Sequence, residues 1–164
     1  MAEIATAVGM SKKTLYVHFA DKRELLKSLV ASSYIWSEGV FNDENLDPIQ
    51  SLKHQFHMVA AHVLSERHIK LCRLAIAERL EIEGLTQTFY EMGIATSRNH
   101  LIEAIKKIDP THYVLDLAPD VLADMLFGAT IGKPLVDLLM IDLYVEITSI
   151  ESKINQSIDA LFKH

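Results

Sequence analysis

The chain has 164 residues, 49% of them hydrophobic, with only 6 Gly and 4 Pro to interrupt them, a globular composition that excludes disordered and collagen-like chains. Its formal charge is -6, so it is not coated in bases, although the bases it has are unevenly placed. It has no apolar run of about 18 residues, no basic-then-apolar leader after Met1 and a single cysteine, Cys72, so a soluble chain of the reducing cytoplasm is expected.

Ala2 to Val8 reads as a short helix with Ile4, Ala5 and Val8 on one face. Gly9 follows and supplies the left-handed residue that a tight turn needs. Ser11 is a good N-cap for a second helix that runs to about Phe19. Asp21 caps a third, with Glu24 in a capping-box-like position. That third helix carries Leu25, Leu26, Leu29 and Val30 and is expected to reach Gly39, before an acidic loop over Phe41–Leu46.

Asp47-Pro48 is an N-cap followed by proline at the first helical position, and a helix to about Leu64 follows. Ser65 starts the next, which carries Ile69, Leu71, Leu74, Ile76 and Leu80 and is expected to stop at Gly84. Leu85 to Ile108 reads as helix, with Gly93 a point where it could break, and Asp109-Pro110 ends it. Pro119 opens a helix through Leu122, Met125, Leu126 and Ala129, which Gly132-Lys133-Pro134 kinks or breaks. The last helix is expected from about Thr148, with Glu151 in its capping box, to about Phe162. Apolar spacings of three and four dominate, no strand is evident, and the fold class is all-α.

The stretch MAEIATAVGMSKKTLYVHFADKRELLKSL is the most informative. Ile4, Ala5, Gly9, Ser11, Thr14, Leu15, Tyr16, Phe19, Lys22 and Leu25 meet the pattern I-A-x-x-x-G-x-S-x-x-T-L-Y-x-x-F-x-x-K-x-x-L. On that pattern the segment resembles the helix-turn-helix of the tetracycline-repressor (TetR-like) family. At about 100° per residue, Leu15 and Phe19 share one face of the second helix and can pack on Ile4 and Val8. Lys13 and Val17 then point away, flanked by Thr14 and Tyr16. A short helix anchored on one face and basic on the other suits a major groove. Residues 1–30 carry five bases (Lys12, Lys13, Lys22, Arg23, Lys27) against three acids, a cationic end on an acidic body.

The resemblance implies that Ser11 to Phe19 is the recognition helix and that Thr14, Tyr16, His18 and Lys22 contact phosphates. Lys12, Lys13 and Val17 are candidates for base edges, because Lys donates to guanine and Val can meet a thymine methyl. The alternative, a merely solvated face with Tyr16 packed, is outweighed by the full pattern. The family's DNA unit has three helices and the chain begins at what would be the second. An incomplete headpiece, residues 1–28, is therefore expected ahead of a ligand-binding and dimerisation domain, residues 29–164.

In the body, Arg73–Gly93, with Ala77-Glu78 and Phe89-Tyr90, is similar to the AefR-like C-terminal group. The resemblance implies an effector pocket among the middle helices and pairing with a second subunit through the last two. Candidate pocket residues are Trp36, Phe56, Met58, Phe89, Tyr90, Met92, Met125 and Phe127, although for each of them singly ordinary core is the commoner role. Ile147, Ile150, Ile154, Ile158 and Leu161 form a stripe that faces either the body or a partner, and the resemblance favours a four-helix bundle between two subunits.

His54 and His57 lie one turn apart, with His62 and His68 beyond, but no third ligand is evident and no metal or other cofactor is expected. Cys72 lies in an apolar helix and reads as a buried, inert thiol. No nucleophile elbow, phosphate loop, dinucleotide fingerprint or HExxH occurs, so an enzyme is not expected. The function this implies is a DNA-binding regulator, usually a repressor in this family, that a small apolar effector releases from pseudo-palindromic, double-stranded operator DNA. The rival is a small-molecule-binding or interaction dimer whose incomplete headpiece no longer binds DNA.

Overall fold

The computed structural model describes residues 1–33, 46–141 and 146–163, and among these residues the regular structure is helical, with one isolated bridge, Tyr113 to Phe162. α1 (Ala2–Ala7) and α2 (Lys12–His18) are joined by a turn in which Gly9 has φ +67°, a conformation that a Cβ would strain. Ser11 caps α2, its hydroxyl accepting from the Thr14 N–H at 3.0 Å. α3 (Lys22–Ser33) starts with the Asp21 carboxylate accepting from Glu24 N–H at 2.8 Å. Glu24 in turn accepts from Ala20 N–H at 2.6 Å, one residue earlier than a capping box would have it. The expected extension of α3 to Gly39, and nearly all of the acidic loop, lie outside the described residues.

α4 (Pro48–Val63) and α5 (Glu66–Ala77) begin where Asp47 and Ser65 place them, each side chain accepting backbone N–H bonds. α5 ends at Ala77, short of the expected stop at Gly84. Leu80 is left 86% exposed, while the turns after Glu78 swing Ile82 inward to burial. Gly84, at φ +75°, then opens α6 (Leu85–Phe89).

From Leu85 to Lys106 the helix does not break at Gly93. It widens into a π turn, Tyr90–Ala95, and continues as α7 (Thr96–Lys106). The same device joins α8 (Pro119–Phe127) to α9 (Lys133–Ile141) through a second π turn, Gly128–Gly132. Proline lacks an N–H and its ring clashes with the carbonyl four residues back, so a wider turn just before Pro134 gives that ring room. α10 (Ile147–Leu161) starts one residue earlier than expected: Glu146 takes the cap position, and Thr148 donates to its carboxylate at 2.9 Å.

Two cores hold the helices. The larger packs α4, α7, α8 and α10 around Phe56, Leu52, Ile105, Leu122, Ile154 and Ile158. The smaller sets Leu26 and Val30 of α3 on Leu71, Cys72 and Ala75 of α5, with Ile82, Leu85 and Phe89. His68 is buried beside it, its ring 5.6 Å from Phe89 and 5.0 Å from His62. Arg73 of α5 reaches across to the end of α9, donating to the carbonyls of Leu138 at 2.6 Å and Leu139 at 3.2 Å. Such bonds satisfy the last carbonyls of a helix and favour a cation there.

Ile154 is fully buried, so Ile154→Ala should destabilise the chain by about 2–5 kcal/mol in urea denaturation. A second prediction concerns acid. Burial, with His62 nearby, pushes the His68 imidazole down to about 4. Below pH 6.5 the unfolded chain takes up this proton and the folded chain does not, so stability falls as pH falls toward 4. Between pH 7 and 4.5 His68 should account for a loss of about 2–3 kcal/mol. Denaturation midpoints of His68→Leu against the unmodified chain across that range should show the difference, and parallel profiles would exclude it.

Candidate functional site

Two regions carry the chemistry. The first is the N-terminal pair of helices. Ala5 and Leu15 are buried between them, and Ile4 and Phe19 are partly buried. Val8 departs from the expected packing: it stands past the end of α1 and is 57% exposed. Lys12, Lys13, Thr14, Tyr16, Val17, His18 and Lys22 are all exposed. The Lys12 ammonium lies 5.8 Å from the centre of the Tyr16 ring, a cation–π distance that keeps both at the surface. Lys22, the first residue of α3, bonds the carboxylate of Glu78, at the end of α5, at 2.7 Å, and this ion pair ties α3 to α5.

The second region is a cavity of about 530 Å³ framed by the end of α4, α5, α6, both π turns, α7, α8 and α9. Its wall is apolar: Val63, Ala75, Phe89, Leu101, Phe127 and Leu139 are typical of it. Ile76, Tyr90 and Ile94 line it and are also exposed, so they frame an opening. Polar groups are few. The Ser97 hydroxyl donates to Gly93 O at 2.8 Å, and burial pushes the Cys72 thiol up to about 11. The Arg98 guanidinium forks onto Asp124 at 2.7 and 2.9 Å, holding that carboxyl below its usual value.

Of the pocket candidates, Phe89, Tyr90 and Phe127 line this cavity. Phe56 does not: it is central to the larger core. Met58 and Met92 are partly buried away from the cavity, Met125 is exposed on α8, and Trp36 lies outside the described residues. Selecting aromatic and Met side chains missed Ser97, Arg98, Asp124, Ile94 and Leu139, whose place depends on how distant helices meet. The local signal nearest to it was Gly93 and Gly128, since both π turns contribute to the wall.

The stripe on the last helix is corrected. Ile150, Ile154 and Ile158 are buried in their own chain's core and Leu161 packs against it, leaving only Ile147 exposed. Amphipathic α10 spends its apolar face on α4, α8 and the second π turn. The exposed apolar residues lie instead on the preceding helix: Val121 and Met125 on α8, Val136 and Met140 on α9, with the small Gly128 and Ala129 between. Among the described residues no three His, Cys, Asp or Glu side chains come close enough to hold a metal ion, and no helix is long and apolar enough to cross a membrane.

Residues 1–29 match the family model described as bacterial regulatory proteins, tetR family. No curated protein matches the chain. Among solved structures, a TetR-family transcriptional regulator from Mesorhizobium loti is similar, with a TM-score of 0.79 at 24% identity over 97% of this chain and 82% of that one. A TetR-family regulator from Agrobacterium tumefaciens gives a TM-score of 0.71 at 16% identity over 98% of this chain and 85% of that one. At such identities the likeness is one of fold. The match at the N-terminus concerns the two helices whose exposed faces carry Lys12, Lys13, Tyr16 and Val17. Residues 1–29 are thus similar to the tetR family of bacterial regulatory proteins, and the chain as a whole shares the all-helical fold of these two structures.

Proposed function

We propose that the chain is a ligand-responsive regulator, not an enzyme, that acts in the cytoplasm, with a headpiece at residues 1–28 and a sensing and dimerisation body at 29–164. The observation that carries the ligand response is a shared wall. Cys72, Ala75 and Phe89 line the cavity and also belong to the buried cluster that holds Leu26 and Val30 of α3. A molecule that presses on these side chains changes the seat of the helix leading out of the headpiece. If it binds best to the seat in which two headpieces no longer fit their operator, it releases the DNA by population shift, as a repressor's inducer does.

Two identical headpieces reading a pseudo-palindrome require a two-fold dimer. The exposed face of α8 and α9 suits a second copy of the chain, because bulky Val121, Met125, Val136 and Met140 flank a small-residue centre where a partner helix can approach closely. Lys133, paired with Asp137, sits beside them.

Operator selection from random DNA, then gel shifts at fixed salt with and without candidate effectors, tests the whole reading. A chain that enriches no sequence would defeat it. Within the headpiece, Lys13→Ala should cost about 1–3 kcal/mol of binding and relax specificity at one position. Lys22→Ala should weaken all sequences alike and lower the salt slope by about one unit. Glu78→Gln is its control, since it breaks the same ion pair but leaves the Lys22 charge. Equal, sequence-blind losses for Lys13 and Lys22 would remove Lys13 from the base-reading set. For assembly, the unmodified chain should sediment as a dimer at micromolar concentration and Val136→Glu as a folded monomer. A monomeric unmodified chain would count against the dimer.

A further inference from the structure

We infer that the cavity selects an uncharged, largely apolar effector and discriminates against acids and amines of the same size. The inference rests on the reading of this cavity as the effector site, and it concerns the charge of what enters.

The wall is mainly apolar, with the hydroxyls of Thr86, Tyr90 and Ser97 and the Arg98–Asp124 pair among its polar members. Ser97 has spent its one proton on the Gly93 carbonyl, so it has no proton left to donate to an anionic guest. His68 and Cys72 line the cavity with both titratable groups uncharged at neutral pH: burial lowers the imidazole to about 4 and raises the thiol to about 11. His62, which faces His68, is also lowered, through burial and then Arg67. An ionised guest would therefore lose its hydration with no opposite charge inside to replace it.

The charges at the wall are already matched to each other. Arg98 gives Asp124 two parallel hydrogen bonds, at 2.7 and 2.9 Å, the bidentate geometry in which each ion is best satisfied. A carboxylate guest would have to displace Asp124 from Arg98, and an ammonium guest would have to displace Arg98 from Asp124. Asp120 also acts on Arg98, so capture of the guanidinium by an outside anion is opposed twice. A neutral guest leaves the fork intact and passes the apolar frame of Ile76, Tyr90 and Ile94. A volume of about 530 Å³ accommodates two or three rings or a ten-carbon chain.

The test uses matched probes on the full chain at pH 7.5, without DNA. N-phenyl-1-naphthylamine is neutral and gains fluorescence in apolar sites; 8-anilinonaphthalene-1-sulfonate is the same skeleton bearing a sulfonate. The neutral probe should bind at least tenfold more tightly. 1-Decanol should displace it at a concentration at least tenfold below that needed of decanoate or decylammonium. Equal affinity for either charged series would overturn the inference.

Two variants place the binding. Ser97→Phe fills the cavity and Ile94→Trp narrows its exposed opening, and at least one of them, with helicity retained, should weaken the neutral probe fivefold or more. If both retain full binding, the probe sits elsewhere and the inference fails. Asp124→Asn, at an exposed position, unpairs Arg98 and should bring decanoate at least fivefold closer to decanol. No change there would remove the ion pair from the explanation. If neutral probes bind as described but leave operator affinity unaltered, the effector reading fails while the charge selection stands.

Discussion

The packing of α3 on α6, in a core shared with α5, is the contact on which the rest depends. Leu26 and Val30 are the buried apolar side chains of the described part of α3, and they share one cluster with Leu85 and Phe89 of α6, on which α3 chiefly packs, and with Leu71, Cys72 and Ala75 of α5. Burial of a few aliphatic groups contributes a few kcal/mol at about 25 cal/mol per Å². This is enough to seat a short helix yet small against the large core of α4, α7, α8 and α10. α3 is thus held by the smaller of two cores, part of which, Cys72, Ala75 and Phe89, also lines the cavity. A region whose local stability is low can be moved by a ligand without unfolding the whole.

The cavity exists because two long helices are not regular. A straight α-helix from Leu85 to Lys106 and another from Pro119 to Ile141 would present even ridges to each other and could close on themselves. The π turns at Tyr90–Ala95 and Gly128–Gly132 each spread one turn of backbone at the wall. Gly93 and Gly128 there contribute no side chain to fill the space. π turns recur at functional sites for this kind of reason, since the wider turn displaces side chains from positions that regular packing would dictate.

Much of the local structure was legible in the sequence because its causes are local. Ser11, Asp21, Asp47 and Ser65 each cap a helix, and a capping side chain needs only its own backbone to act on. The fixed spacing from Ile4 to Leu25 likewise identified two helices whose surface residues could be listed by counting. What depends on distant neighbours was not legible. The isoleucine stripe of α10 marks an apolar face, but nothing in its spacing says whether the covering helix belongs to the same chain. Aromatic and Met content likewise could not separate Phe56, at the centre of the core, from Phe127 at the cavity. The π turns left no trace beyond Gly93, Gly132 and Pro134, which announce an irregularity without its kind.

The Arg73 fork has a mechanical meaning. Its guanidinium is rooted in α5, between the residues that line the cavity and those that carry α3, and its grip is on the final carbonyls of α9. A slide of α5 along its axis works against both of these hydrogen bonds unless the end of α9 moves with it. The outermost apolar residue of that end, Met140, directly follows the gripped carbonyls. One side chain thus links α5, which shares a core with α3, to the end of α9, where Met140 is exposed.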